Sequence, residues 1–385
     1  MQLAVNILFF FIMPVFWLGL IRTHLIYRRR VTRERKLFDS AINPNHTEFK
    51  SFMIGLIVLG IIGSLLTSLL GIEVNYSWVF LYEGLATLCL LIPGLMFPFT
   101  VMLISIIILV LFGDQFLYLI LSWNFSNFLP EHTSMNMDFW ALMTVVMILQ
   151  YLFLKLNVKS FTSPVIQKNV RGNKVASYLF DKLTVVPLIL FVPGNLLTST
   201  SAFWPIFKIF GVKLSILVVP ILIGFNFKFL GQASEKILKK ITKAIGGLCW
   251  LSLGLTLDAF LWKNAMFDLM SVLLNGLCYF LVLHHYKKVD KQVDKQVEQA
   301  VDGIRILGVK NDTPASKMNL KIGDLIQEVN GQQVRNENQL YKALQSNPTY
   351  CRLKIKNRNG RLELKEAAIF ADAPHEIGIV TFPRK

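Results

Sequence analysis

Charge is what this 385-residue sequence has least of. Only 17% of its residues are Asp, Glu, Lys or Arg, against 54% hydrophobic residues that include 30 phenylalanines. A soluble globular domain carries about 25% charged residues, so composition excludes an ordinary soluble enzyme. Acidic residues are scarcer still, and 24 of them face 40 Lys and Arg for a net charge of +16. Cysteine is confined to Cys89, Cys249, Cys278 and Cys351 with no C-x-x-C, which excludes a zinc ribbon and a disulfide framework. None of the six histidines begins a His-Glu-x-x-His, and neither Gly-x-Ser-x-Gly nor a Gly-rich phosphate loop occurs. Those gaps remove the zinc-protease, serine-hydrolase and nucleotide-binding classes. The expectation is a protein without catalytic residues, bound metal or cofactor.

What is present is apolar sequence from Leu3 to about Tyr286, followed by residues of ordinary soluble character. The first part predicts a polytopic α-helical membrane domain over 1–286, since about 20 apolar residues are needed to cross the hydrocarbon core. Candidate spans are Leu3–Ile21, Phe52–Ile72, Trp78–Pro93, Met96–Leu121, Phe139–Leu156, Leu183–Thr198, Leu214–Leu230, Ala244–Leu261 and Phe267–His284. The run from Trp78 to Leu121 is divided at Pro93, Gly94 and Pro98, because proline and glycine interrupt helices. The leading run lacks a basic start and a small-residue cleavage site, so it reads as a span and not as a signal peptide.

Charge supports nine spans. Arg22–Lys50 holds eight Lys and Arg, Lys155–Lys182 six and Lys228–Lys243 five, whereas Glu73–Ser77 and Ser122–Asp138 hold none. An outside amino terminus puts the rich segments in the cytoplasm and the poor ones outside. The basic excess is thereby a topology signal, and nucleic acid is not an expected partner. Glu83, Asp114 and Asp258 fall inside spans near their ends, where a structural role is favoured over an ion pathway. Val192–Asn195, "VPGN", reads as a kink in the sixth span.

From Lys287 to about Asp302 the sequence predicts a helical linker, with Val289, Val293, Val297 and Val301 recurring every four residues. Residues 303–385 predict a small α/β domain. Ile304–Val309 alternates as a strand, and "NDTPASKMNL" forms a turn with Ala315, Met318 and Leu320 inward. "KIGDLIQEVNG" is a strand closed by the strong turn pair Asn330–Gly331. Asn336 with Gln339 caps a helix to about Ser346. "CRLKIKNRNGRLELKE" forms a hairpin, with Leu353, Ile355, Leu362 and Leu364 expected on one apolar face.

This succession, "TPA…L…GD.I..VNG..V", resembles the PDZ family. The resemblance implies capture of an extended peptide, usually by its free carboxylate, beside one helix. The glycine-containing carboxylate loop of that family does not precede Ile304; its counterpart is the terminal "HEIGIVTF", so the domain is expected to be circularly permuted. The N–H groups of Ile377, Gly378 and Ile379 are then the expected donors, and Leu340, Ala343 and Leu344 the apolar wall of the groove. Together with "RRRVTRERKLF" after the first span, the architecture resembles the MinJ family of cell-division topology proteins of Gram-positive bacteria. That resemblance implies a septal or polar membrane adaptor with a cytoplasmic PDZ domain. Its implied partners are a DivIVA-like polar scaffold, MinD-like or late division proteins and membrane lipids; a second copy of the chain is a further candidate. A non-catalytic regulator of a membrane protease and a transporter with a regulatory PDZ domain are the competing readings.

Overall fold

Pro14 divides the first apolar run, and the basic stretch behind it continues the second helix without interruption. The structure, a computed structural model, describes the chain apart from residues 1, 93–97, 113–137, 169–173, 199–212, 231–233, 263–264, 293–299, 301, 311–312, 348, 358–359, 369–376 and 384–385. The helices before the first strand are α1 (Gln2–Ile12), α2 (Pro14–Phe38), α3 (Thr47–Leu70, with one π-helical turn), α4 (Tyr76–Leu91), α5 (Pro98–Phe112) and α6 (Phe139–Asn157). Strands β1 (Ser163–Lys168), β2 (Lys174–Thr198) and β3 (Lys213–Phe229) follow, then α7 (Ser234–Trp262) and α8 (Ala265–Gln292).

Among the described residues, α3 and α6 are long and apolar enough to cross a membrane, and α4 and part of α5 are shorter apolar helices. The outward surface is apolar where a soluble protein would be polar: Ile61 is 59% exposed, Trp250 78%, Leu257 65% and Phe280 62%. So wide an exposed apolar surface needs lipid or another protein against it, and the protein associates with a membrane. The division of Trp78–Leu121 holds, as α4 and α5 are separate helices joined by the Trp78 Nε1–H bond to Ser105 Oγ at 3.0 Å.

Two of the nine expected helical spans are strands. Leu183–Thr198 and Leu214–Leu230 lie in β2 and β3, which pair antiparallel from Tyr178↔Phe229 to Thr198↔Lys213. A short apolar run has no period that separates a buried strand from a buried helix. Here "TVVPLILFV" and "SILVVPILI" are rich in β-branched residues, which favour strands. Pro187 and Pro220, opposite each other in the hairpin, would each break a helix. "VPGN" is accordingly an irregularity in the pairing between Pro193 and Leu197, not a helix kink. Strand backbone at membrane depth must be enclosed in protein, and helices supply the missing partners. Ser64 Oγ donates to the Pro187 carbonyl at 2.9 Å, Gln150 Nε2 to that of Gly224 at 3.1 Å, and the Leu222 N–H donates to Tyr82 Oη at 2.7 Å. Residues 72–74 pair with Phe191. Close approach of α3 needs glycine: a Cβ on Gly55 would lie 2.8 Å from Thr184 Cβ, and one on Gly60 2.9 Å from Pro187 Cγ.

One guanidinium organises the end of this assembly where the basic residues gather. Arg30 donates through Nε to Glu48 Oε1 at 2.6 Å and through Nη2 to Glu48 Oε2 at 3.2 Å. Its Nη1 donates to Glu34 Oε1 at 3.2 Å and to the Asn43 carbonyl at 2.6 Å, and its Nη2 to the Asn45 carbonyl at 3.0 Å. Glu34 Oε2 in turn accepts the N–H groups of Ile42 and Asn43. All five guanidinium protons are thus engaged, and α2, the segment after it and the start of α3 are tied together. Burial opposes the Arg30 charge, but the two carboxylates more than offset it and hold its pKa above the ordinary value.

The C-terminal domain contains β4 (Ile304–Arg305), β5 (Gly308–Val309), α9 (Pro314–Lys317), β6 (Leu325–Val329), β7 (Gln332–Gln333), α10 (Glu337–Gln345), β8 (Tyr350–Lys356), β9 (Leu362–Ala368) and β10 (Ile379–Val380). The expected single strand Ile304–Val309 is two strands, β4 pairing with β6 and β5 with β10. Asn330 and Gly331 both have positive φ, 50° and 82°, as a tight hairpin turn requires. Ala315, Met318 and Leu320 are buried as expected. Leu362 and Leu364 are not: they are 58% and 56% exposed, because Lys354↔Leu364 pairing places them on the solvent face opposite Leu353 and Ile355. A single-residue offset reverses every side chain of a strand. The linker is helical through Gln292; residues 293–299 and 301 lie outside the described residues, and Ala300 and Asp302 are not helical. Its described part is no free spacer, since Asp290 is buried and accepts the Leu230 N–H at 2.6 Å.

Replacing Arg30 with Gln leaves Glu34 and Glu48 buried without their cation and should cost about 3–5 kcal/mol of stability. Denaturant unfolding of the detergent-solubilised protein, against the exposed control Arg28→Gln, measures the difference.

Candidate peptide-binding site

The terminal strand returns to the start of the C-terminal domain because its carbonyls have waiting donors. Gly378 O accepts the Lys310 N–H at 2.8 Å, Val380 O the Leu307 N–H at 2.8 Å, and Ile377 O the Ala315 N–H at 3.0 Å at the first turn of α9. Ile379 stands opposite Val309 and Val380 opposite Gly308 in an antiparallel ribbon. Backbone groups of successive residues in a strand point to opposite edges. With Gly378 and Val380 turned to β5, the N–H and C=O of Ile379 point to the other edge. Among the described residues, no hydrogen bond uses the N–H of Ile377 or Gly378.

Gly378 is glycine for two reasons. Its φ is +86°, and a Cβ there would lie 2.2 Å from Thr313 Oγ1. Thr313 is itself held by its Oγ1–H bond to the Lys310 carbonyl at 2.7 Å. The glycine therefore lies against the turn before α9, and the neighbouring N–H groups are presented without an intervening side chain.

The helix that would face a peptide is set by its cap. Asn336 Oδ1 accepts the Gln339 N–H at 2.9 Å, and Gln339 Oε1 accepts the Arg335 N–H at 2.8 Å. This fixes the rotation of α10 so that Leu340 and Ala343 are buried, with Leu344 half-buried a turn on. Ile377 is buried in the same apolar cluster as Leu340 and Ala343, and Leu344 and Ile379 pack at its edge. Five of the six residues expected from the sequence thus belong to one apolar cluster, with Leu344 and Ile379 its partly exposed members, and Gly378 lies between Ile377 and Ile379. Cys351 sits deep in this core, where burial pushes its thiol up to about 12, so it is no thiolate nucleophile at neutral pH.

Sequence reasoning missed how this site is mounted. Ile379 and Val309 pack against the PDZ core, whereas Val380, and Leu307 just before β5, are buried in the core of the amino-terminal part. Tyr178 Oη donates to the Leu307 carbonyl at 2.8 Å, Lys310 Nζ to Ser40 Oγ at 2.8 Å, and Lys174 Nζ to the Pro383 carbonyl at 2.7 Å. Ile42 lies beside Gly308. The one available signal was that Leu307 and Val380 are both apolar where a solvated ribbon and its entry would be polar.

Comparison with known proteins finds a PDZ domain in this part of the chain. A family model for the PDZ domain matches residues 305–357, which leaves the terminal strand outside the matched segment. Along the whole chain there is similarity to the cell division topological determinant MinJ of Bacillus subtilis (strain 168), 25% identical over 380 residues, covering 96% of this chain and 92% of that protein. The probable cell division topological determinants MinJ of Lacticaseibacillus paracasei and of Lacticaseibacillus casei (strain BD-II) are each 28% identical over 374 residues, covering 96% of both chains.

Gly378→Ala should cost the terminal strand about 1–3 kcal/mol through its left-handed backbone alone, with the Thr313 contact added. Hydrogen exchange of the Lys310 and Leu307 amides, which donate to this strand, should speed up while that of Val329 in β6 stays unchanged. From its C-terminal PDZ domain to its apolar amino-terminal part, this chain is similar to proteins named MinJ along 96% of its length.

Proposed function

We propose that this chain is a membrane-anchored adaptor of the division machinery that captures partner proteins through its PDZ domain. The observation that carries the reading is the outward-turned edge of Ile379, beside the glycine-flanked N–H groups of Ile377 and Gly378. An extended peptide adds to such an edge through its backbone, and a terminal carboxylate is held by clustered N–H groups. Leu344 and Ile379, apolar and partly exposed, flank the place for the last ligand side chain. The role in placing the division site rests on likeness to proteins named as topological determinants. The DivIVA-like and MinD-like partners rest on the family resemblance read from the sequence. Multiple crossings, an outside amino terminus and a cytoplasmic PDZ domain rest on the distribution of basic residues.

The test uses Leu344→Glu, which places a charge at the groove edge without entering the buried core. Crosslinking in cells, followed by identification of captured proteins, should recover division proteins with the parent chain and lose them with the variant. Septal enrichment of a tagged parent chain should accompany this. In vitro, partner-derived C-terminal peptides should bind the parent chain at least about tenfold more tightly than the same peptides amidated, because charge-assisted bonds to a carboxylate are the stronger kind. Equal capture by both chains, or indifference to amidation, would remove the groove from the account.

A further inference from the structure

A cavity of about 200 Å³ opens between α2 and the base of the β-hairpin, away from the peptide groove. Arg22, Ile26, Arg29, Arg30 and Arg33 line one wall, spaced so that one face of α2 carries them all. Across from them lie Asp181 and Lys182 of β2, Asn226 of β3 and Ser163 of β1. Five basic side chains therefore meet two carboxylates, Glu48 and Asp181, around a single space. Glu48 is committed to Arg30, so one carboxylate is left for Arg22, Arg29, Arg33 and Lys182.

The polar atoms here are unusually short of partners. Arg22 is only 6% exposed and Ser163 2%, yet among the described residues Arg22 Nε, Arg33 Nε, Ser163 Oγ and the competing acceptor Asp181 Oδ1 have no hydrogen-bond partner. Nearly every buried donor in a folded protein is satisfied, and a buried guanidinium nitrogen left unpaired is costly. Burial lowers the pKa of Arg33, lowers that of Lys182 to about 8 and raises that of Asp181 to about 6. An anion in the cavity would relieve the basic groups.

The position of the cavity identifies the anion. Both candidate membrane-crossing helices end beside it: Glu48 is the second residue of α3, and Asn157, the last of α6, accepts from Lys182 Nζ at 3.3 Å and from Ser51 Oγ at 2.7 Å. The cavity thus lies at the depth of the lipid headgroups, with exposed Arg29 on its rim. Guanidinium groups recognise phosphate oxygens through paired N–H donors. We propose that this cavity is a binding site for a phosphate group, held by Arg22, Arg33, Lys182 and Ser163 at the membrane surface. Its chemistry fits the headgroup of an acidic phospholipid and also a free phosphate.

The full chain would be placed in nanodiscs of phosphatidylcholine alone or of phosphatidylcholine with phosphatidylglycerol. Retained lipid is read by native mass spectrometry and phenylglyoxal labelling of Arg22 and Arg33 by peptide mapping. Retention of phosphatidylglycerol, with both arginines protected only in the mixed discs, identifies a lipid headgroup. Protection by added inorganic phosphate in the pure phosphatidylcholine discs identifies a free phosphate. In either case Arg22→Gln with Arg33→Gln should weaken binding at least about tenfold, whereas Arg28→Gln with Lys36→Gln, exposed and outside the cavity, should not. Asp181→Asn removes the competing carboxylate and should tighten binding, a gain that misfolding cannot imitate. Absence of protection in both arms, equal effects of the two double variants, or weaker binding by Asp181→Asn would each overturn the site.

Discussion

Everything at the end of this molecule where the basic residues gather depends on the complete use of one buried guanidinium. Arg30 has no proton to spare: it holds Glu48 at the start of α3, Glu34 on its own helix, and the carbonyls of Asn43 and Asn45 between them. The segment it holds carries Ser40 and Ile42, which touch Lys310 and Gly308 of the PDZ domain. Its neighbours on the same helix face, Arg22, Arg29 and Arg33, share the field of a single further carboxylate, Asp181. A buried charge that is fully hydrogen-bonded is a rigid joint. Beside it, Arg22 Nε and Arg33 Nε lack a hydrogen-bond partner among the described residues.

The membrane part shows where reading by hydropathy stops. The described parts of seven of the nine apolar runs lie mainly in helices, but those of Leu183–Thr198 and Leu214–Leu230 do not. Length alone could not separate them, since both sit near the short limit for a helical crossing. Their composition could have: valine and isoleucine crowd both runs, and each carries a proline where a helix would need an N–H. The hairpin also needs partners that no local pattern announces. Ser64, Tyr82 and Gln150 meet its backbone from 74 to 140 positions away in the chain. Distant satisfaction of this kind is invisible to periodicity, although polar residues in the middle of apolar helices were its trace.

The PDZ domain was more legible because its constraints are local. Asn330–Gly331, the Asn336 cap and the buried Ala315 are each fixed by turn or cap chemistry within a few residues. Gly378 was legible as a glycine in the peptide strand, but not its second reason, the contact with Thr313, which comes from 65 residues earlier in the chain. The facing of Leu362 and Leu364 was misread because alternation was carried straight through the hairpin, whereas pairing sets Leu364 against Lys354. Alternation assigns faces within a strand; only the register of the turn assigns them across it.

The ribbon of β5 and β10 is what joins the parts. One face of it, Ile379 and Val309, completes the PDZ core, and on the other Val380, with Leu307 just before β5, is buried with Ile42 and Tyr178 in the amino-terminal part. A two-stranded ribbon by itself is only marginally stable in water, so this one takes its order from both sides at once. Any peptide that extended it at the Ile379 edge would add a third strand, and the order gained would be felt on the face that rests against the membrane part. That is the physical requirement for coupling between a partner and the apolar helices: a shared element whose packing both sides set. A PDZ domain hung on a flexible tether would have no such element. Here the tether itself is pinned through Asp290 to the end of β3, so the recognition strand and the base of the hairpin belong to one packed layer.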